Sequence, residues 1–138
     1  MQAIHQPLKG SCLCQSIQFE IENSFRSFFL CHCHQCQKMT DSAHVANLFI
    51  DKNAITWLKG ESKATHYQVP GHDIKNVFCP DCGSPVPYLN SNGKLLIVPA
   101  GSLDGEPSIA PHSHIFMEEK RKWHDEIHKT LQFDGFPS

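Results

Sequence analysis

Within the six residues Cys31-His32-Cys33-His34-Gln35-Cys36 the chain carries three thiols, a CxC step followed by a CxxC step. Cysteines one residue apart seldom satisfy the Cα separation and Cβ direction that a disulfide requires. Three thiolates converging on one soft cation account better for the crowding. Zn2+ takes cysteine sulfur readily and is usually four-coordinate. Three local ligands therefore leave a fourth position. Either it stays exchangeable, as in catalytic zinc centres, or a histidine completes it. His32 and His34 are close in sequence, and a more distant histidine would serve equally.

The other four cysteines stand in two motifs. Cys79-Pro80-Asp81-Cys82-Gly83 has the form of a zinc knuckle, a turn that lets both sulfurs face one ion. Gly83 can take a backbone conformation that a side chain would resist. A CxxC pair is half a zinc site, so its partners must come from elsewhere in the chain. Lys9-Gly10-Ser11-Cys12-Leu13-Cys14, a turn with a second CxC, is the natural complement. The seven cysteines thus divide into a closed set, Cys12, Cys14, Cys79 and Cys82, and an incomplete set, Cys31, Cys33 and Cys36. The expected cofactor is zinc, one ion in each set and so two ions per chain. A closed four-thiolate site is structural; three protein ligands with an exchangeable position are the catalytic pattern. Structural zinc is linked to folding by about 10–16 kcal/mol in small peptides, so loss of the closed site would unfold the domain.

Several other residues carry a chemical expectation. His32 and His34 are the candidate catalytic residues, since imidazole titrates near neutral pH and could relay protons beside the metal. Asp41 and His44 follow the cluster and read as loop or cap residues. His112 and His114 flank Ser113 and read as ordinary strand-edge residues. His124 and His128 would share one helix face, but His124-Asp125-Glu126-Ile127-His128 is not HExxH, and no metal is expected there. Lys120, Arg121 and Lys122 form a short basic run that reads as a solvated face. Phe49, Trp57, Tyr67, Phe78 and Tyr88 are the expected core aromatics, with Trp123 a core or cap aromatic.

The elements that must hold these residues read as short strands. Ser16 to Glu22 alternates, with Ile17, Phe19 and Ile21 on one face and Gln18, Glu20 and Glu22 on the other, which predicts a half-buried strand. Asn23 to Phe28 reads as a loop, and Lys38 to Ser42 as one helical turn. Further strands are expected at 44–50, 54–58, 64–69, 74–78 and 114–117. Segments 85–89 and 94–99 form a hairpin across Asn90-Ser91-Asn92-Gly93, where Asn-Gly tolerates positive φ. Glu118 to His128 is the one stretch long enough for a short helix. This spacing predicts a mainly β, mainly antiparallel fold with few or no long helices.

The chain as a whole sets limits. Its 138 residues fit one domain, 1–138, with no internal linker or long repeat. Twelve basic and fourteen acidic residues give a net charge of −2, which lacks the basic footprint of a nucleic-acid binder. No apolar run approaches the roughly 20 residues of a membrane helix, and Met1 to Gly10 has no apolar signal core. A cytoplasmic location follows, and there seven cysteines point to metal or catalysis rather than disulfides.

Taken together, Gly10-Ser11-Cys12-Leu13-Cys14, the Cys31–Cys36 cluster and Phe78-Cys79-Pro80-Asp81-Cys82-Gly83 resemble the glutathione-dependent formaldehyde-activating enzyme (GFA) family. Gly101-Ser102-Leu103-Asp104, His114-Ile115-Phe116, Lys120 to Trp123 and Phe133-Asp134-Gly135-Phe136-Pro137 agree in order, so the resemblance covers nearly the whole chain. It implies an Mss4-like fold of antiparallel β-sheets assembled around zinc, and the same division of the thiols. It also implies the family's reaction, in which glutathione and formaldehyde join as S-hydroxymethylglutathione, with C–S cleavage in reverse. The chain departs from the family pattern at His34, where a small polar residue is usual, and at Gln37, where a basic residue is common.

The functional expectation is a carbon–sulfur lyase that takes a small-molecule thiol or thiol–aldehyde adduct, with glutathione the family's own, at an open three-cysteine zinc. A metal can hold the incoming sulfur as thiolate or polarise the carbonyl. The alternative is a non-catalytic, zinc-stabilised β module that binds a protein partner, as other Mss4-like folds do. No nucleic acid or membrane partner is expected. Exchangeability of the fourth ligand separates the two readings.

Overall fold

Short apolar alternations separated by turns build sheets rather than helices, and they do so in the computed structural model, which describes residues 6–71 and 75–137. The reading of residues 1–5 as lacking a signal core, and of Ile74 as the start of a strand, lies outside the described residues. The strands are β1 (Leu8–Ser11), β2 (Gln18–Ile21), β3 (Ser27–Cys31), β4 (Val45–Asp51), β5 (Ile55–Lys59), β6 (Thr65–Gln68), β7 (Lys75–Phe78), β8 (Tyr88–Leu89), β9 (Leu95–Pro99) and β10 (Ser113–Ile115). The fold is mainly β, and its α-helix, α1, is seven residues long (His34–Thr40).

Three sheets form, in the strand orders β1-β2-β5, β10-β3-β4-β9-β8 and β6-β7. Among the described residues all strand pairings are antiparallel except β10 with β3, which is parallel and sets His114 beside Leu30 and Ile115 beside Cys31. The main core lies between the inner faces of the first two sheets. Phe19 and Ile21 of β2, Leu48 and Ile50 of β4, and Leu96 and Val98 of β9 are buried there with Phe25 and Phe28. In these three strands the buried residues are two apart, as the period of two demands. Gly10 has a packing reason: a Cβ there would meet the Phe19 ring at 2.3 Å and the Ser102 carbonyl at 2.7 Å. A second cluster buries Ile17, Val77 and Val86 around Cys12 and Cys79.

The structure corrects several sequence expectations. Asn23–Phe28 is not all loop, since β3 begins at Ser27. The α-helix starts at His34, inside the thiol cluster, because the Cys33 sulfur accepts the Cys36 N–H and caps it. Asp41 ends that helix in a left-handed conformation (φ 55°), the cap role expected of it. The stretch Glu118 to His128 forms two 3-10 segments instead, Met117–Glu119 and Lys122–Lys129. Neither buries a residue, and helices draw most of their stability from a packed face. Tyr67 is not a core residue; it is 56% exposed on β6, a strand exposed throughout.

Candidate metal centres

The closed set is built from two similar turns. In one, the Cys12 N–H donates to the Ile17 carbonyl and Gln15 turns left-handed (φ 64°). In the other, the Cys79 N–H donates to the Ser84 carbonyl and Gly83 turns left-handed (φ 77°). Each loop therefore curls two cysteines toward one point. The loops are stitched together by the Leu13 N–H, which donates to the Ser84 hydroxyl at 3.1 Å. All four sulfurs lie within 4.8 Å of one another. Cys12 to Cys14 is 3.7 Å and Cys14 to Cys79 is 3.8 Å. A tetrahedral ion with sulfur at 2.3 Å has edges of about 3.8 Å, so this set fits a zinc-sized cation. The Ser84 hydroxyl, 3.4 Å from Cys82, holds that thiol down at about 5, which favours the thiolate a metal needs.

The incomplete set sits where β3 runs into α1. Cys31 ends the strand, Cys33 caps the helix and Cys36 lies in its first turn. All three are buried, under Met39, Val45 and Ile115. Their sulfurs also lie within 4.8 Å of one another, with no fourth cysteine, histidine or carboxylate completing the group among the described residues. The Cys36 thiol donates to Cys31 at 3.4 Å. That hydrogen bond lowers Cys31 to about 6 and raises Cys36. Burial raises Cys33. All seven cysteines are free of disulfides.

Gln37 gives this corner its rigidity. Its buried amide donates to the His32 carbonyl at 2.7 Å and to the Glu119 carbonyl at 3.0 Å, clamping α1 to the end of β3 and to the segment after β10. Beside the thiols is a cavity of about 310 Å3 whose walls include Thr40, His44, Tyr88, and Met39 and Val45, two of the side chains that cover the trio. Burial, with the thiols Cys36 and Cys31 nearby, pushes the Tyr88 phenol up to about 12.

The model of the family described as "Glutathione-dependent formaldehyde-activating enzyme" matches residues 7–119, a span that holds all seven cysteines. The chain belongs to this family. An uncharacterized lyase of Schizosaccharomyces pombe is 22% identical over 126 residues, covering 91% of this chain and 89% of that protein. A crystal structure of a Rhodobacter sphaeroides protein shares the fold, with a TM-score of 0.61 and 22% identity, over 77% of this chain and 98% of that one.

In this GFA chain the two candidate catalytic histidines part company. His34 is on the surface; its Nδ1 is 3.2 Å from Glu119 Oε1, and its backbone N–H donates to the same oxygen at 3.1 Å. His32 is fully buried, with its ring against other histidines rather than the thiols. Burial, and behind it His124, His44 and His114, lowers it to about 4. His112 Nε2 accepts the Phe28 N–H at 3.0 Å, a strand-edge role as expected. His114 and His124 join His32 instead. Sequence reasoning treated them as unrelated, and only the parallel pairing of β10 with β3 could have revealed the contact. Among the described residues no helix is long and apolar enough to cross a membrane.

Proposed function

We propose that this chain is a zinc-dependent carbon–sulfur lyase that acts on a small-molecule thiol or its aldehyde adduct. The carrying observation is the asymmetry of the thiols: one group of four and one of three that nothing completes among the described residues. In this reading Cys12, Cys14, Cys79 and Cys82 hold a structural zinc, and Cys31, Cys33 and Cys36 hold a second with an exchangeable position. The whole chain, 1–138, works as one cytoplasmic domain. Glutathione with formaldehyde, the pair in the family's description, is the first substrate to test.

Bound zinc would, at its one exchangeable position, hold the substrate sulfur as thiolate or polarise the carbonyl oxygen. In the joining direction the sulfur bonds to the carbonyl carbon and the thiol proton ends on the oxygen; cleavage runs the reverse. The protein's own groups bind and exclude water. The cavity beside the trio offers room for the substrate, and Thr40 and Tyr88 supply hydroxyls in its wall. His34, exposed and paired with Glu119, is the better placed of the two histidines to pass a proton to solvent.

The test is turnover of glutathione and formaldehyde, and of related thiol adducts, by metal-loaded protein against the uncatalysed rate. A zinc-dependent rate above background that disappears in Cys33→Ser supports the reading. Equal rates with and without protein for all adducts overturn it.

One observation favours the second reading, a zinc-stabilised β module that binds a protein. The C-terminal stretch exposes Leu131 (83%), Phe133 (55%) and Phe136 (98%), more apolar surface than a short tail needs. Retention of a partner by the full chain, lost when these three are changed to serine, would advance that reading.

A further inference from the structure

Four histidines from separate parts of the chain converge beside β3, apart from the thiol trio. His32 lies between Cys31 and Cys33, and the alternation of extended backbone turns its ring away from theirs. His114 arrives on β10, set against the end of β3 by the parallel register. The chain then turns sharply at Phe116, left-handed at φ 58°, and the second 3-10 segment beyond it, Lys122–Lys129, brings back His124. His44 comes from the loop that leads into β4. The His32 ring centroid lies 4.6 Å from that of His124, 4.9 Å from His44 and 5.0 Å from His114.

We propose that His32, His114 and His124 form a third metal site, made only of imidazole nitrogen, for a borderline divalent ion of the Zn2+ or Ni2+ class. One ring nitrogen from each of the three lies within 4.8 Å of the others. His32 Nε2 and His114 Nδ1 are already 2.9 Å apart. Edges of about 3.4 Å would suit tetrahedral zinc with nitrogen at 2.0–2.1 Å, so these separations straddle the requirement and small ring rotations meet it.

The second line of argument is hydrogen bonding. Nδ1 of His32, of His44 and of His124 are all buried and have no hydrogen-bond partner in the protein. Native interiors satisfy nearly all such groups, and each one left over costs about 1–3 kcal/mol. Two of these rings, His32 and His124, belong to the proposed trio, and each keeps a buried nitrogen that the protein leaves unsatisfied. Among the described residues none of the four rings is in a salt bridge with a carboxylate, as a purely structural histidine would often be. Neutral imidazole suits zinc, nickel and copper, and thiolate is absent from this group. His114 is exposed and gives an ion a way in. Lys120, whose charge bears on His32, is held by both oxygens of Asp125, at 2.8 and 2.7 Å. The Gln37 clamp fixes the backbone of His32 and that of Glu119, five residues before His124. The site does not depend on the lyase reading.

The experiment uses tag-free full-length protein loaded with only two equivalents of Zn2+ per chain, which the thiolates take first, and then titrated with Ni2+ by calorimetry, with elemental analysis of the recovered protein. Wild type is expected to take one ion per chain beyond its thiol-bound zinc. His114→Ala and His124→Ala are each expected to weaken that uptake by more than about tenfold, since outer-shell partners alone are worth 10–100-fold. Zinc content and circular dichroism should not change. Equal uptake by wild type and both variants overturns the proposal. So does no uptake by wild type, or uptake that displaces zinc and brings a sulfur-to-nickel charge-transfer band.

Discussion

The two thiol sets differ in what they hold together. The closed set joins turns far apart in the chain; Cys14 and Cys79 are 65 positions apart and their sulfurs 3.8 Å apart. It ties the approach to β2 to the end of β7, around Ile17, Val77 and Val86. The incomplete set lies within six residues and joins only the end of β3 to α1. Their surroundings are reversed from what coordination alone suggests: Cys14 of the closed set is exposed, whereas all three thiols of the open set are buried. Burial and coordinative closure are therefore separate properties. The fold has put its incomplete set where water is scarce and electrostatic effects are strong.

The comparison breaks most visibly by mutation. Cys79→Ser should abolish cooperative thermal unfolding, followed by circular dichroism. A structural zinc is worth about 10–16 kcal/mol in apparent folding free energy, which meets or exceeds the roughly 5–15 kcal/mol stability of a domain. Cys33→Ser should lose one zinc per chain by elemental analysis yet keep the fold and a cooperative melt. If both variants unfold, or neither does, the two sets are not the different devices described here.

Chelation should sharpen the same contrast on a gentler scale. A zinc-binding dye should remove metal in two phases, because an open coordination position gives the competing ligand a point of attack. The fast phase should vanish in Cys33→Ser, and the slow phase should coincide with loss of structure. Next in size is Gln37→Ala, which leaves the His32 and Glu119 carbonyls without their donor and should cost about 1–3 kcal/mol in denaturant unfolding. Its effect on zinc affinity should fall on the trio and spare the closed set.

The smallest effect is with pH. Burial raises the Tyr88 phenol from 10.0 to about 12, so the folded protein keeps this proton where the unfolded chain has lost it. The contribution is complete below pH 10 and is lost as pH rises toward about 12. A tyrosinate absorbance step near the upper value, removed by Tyr88→Phe, checks the sign.

Much of the candidate site was legible because its information is local. CxC and CxxC spacings dictate how closely sulfurs can approach, whatever the fold. The alternation of Phe19 and Ile21 likewise predicted a half-buried strand, which β2 is. β1 was missed because Leu8–Ser11 is four residues with a glycine and no clear alternation. The position of α1 was misjudged because its start depends on a cysteine sulfur acting as the cap, a role that Ser, Thr, Asp and Asn normally fill. Gln37 read as a missing cation; in the fold it is a buried clamp, because its partners are carbonyls rather than an anion.

The sequence by itself determined the grouping of seven cysteines into four and three, the family and the mainly β character, since ligand spacing and a period of two are short-range properties. Only the tertiary structure decided which histidines meet. His32 and His114 are 82 positions apart, and no periodicity links them. Their contact follows from the one parallel pairing among the described residues, β10 on β3, and that of His32 with His124 from the chain reversal that begins at the left-handed Phe116. Strand register is set by the burial of whole sheets, so the place where the imidazoles converge is a property of the assembled core.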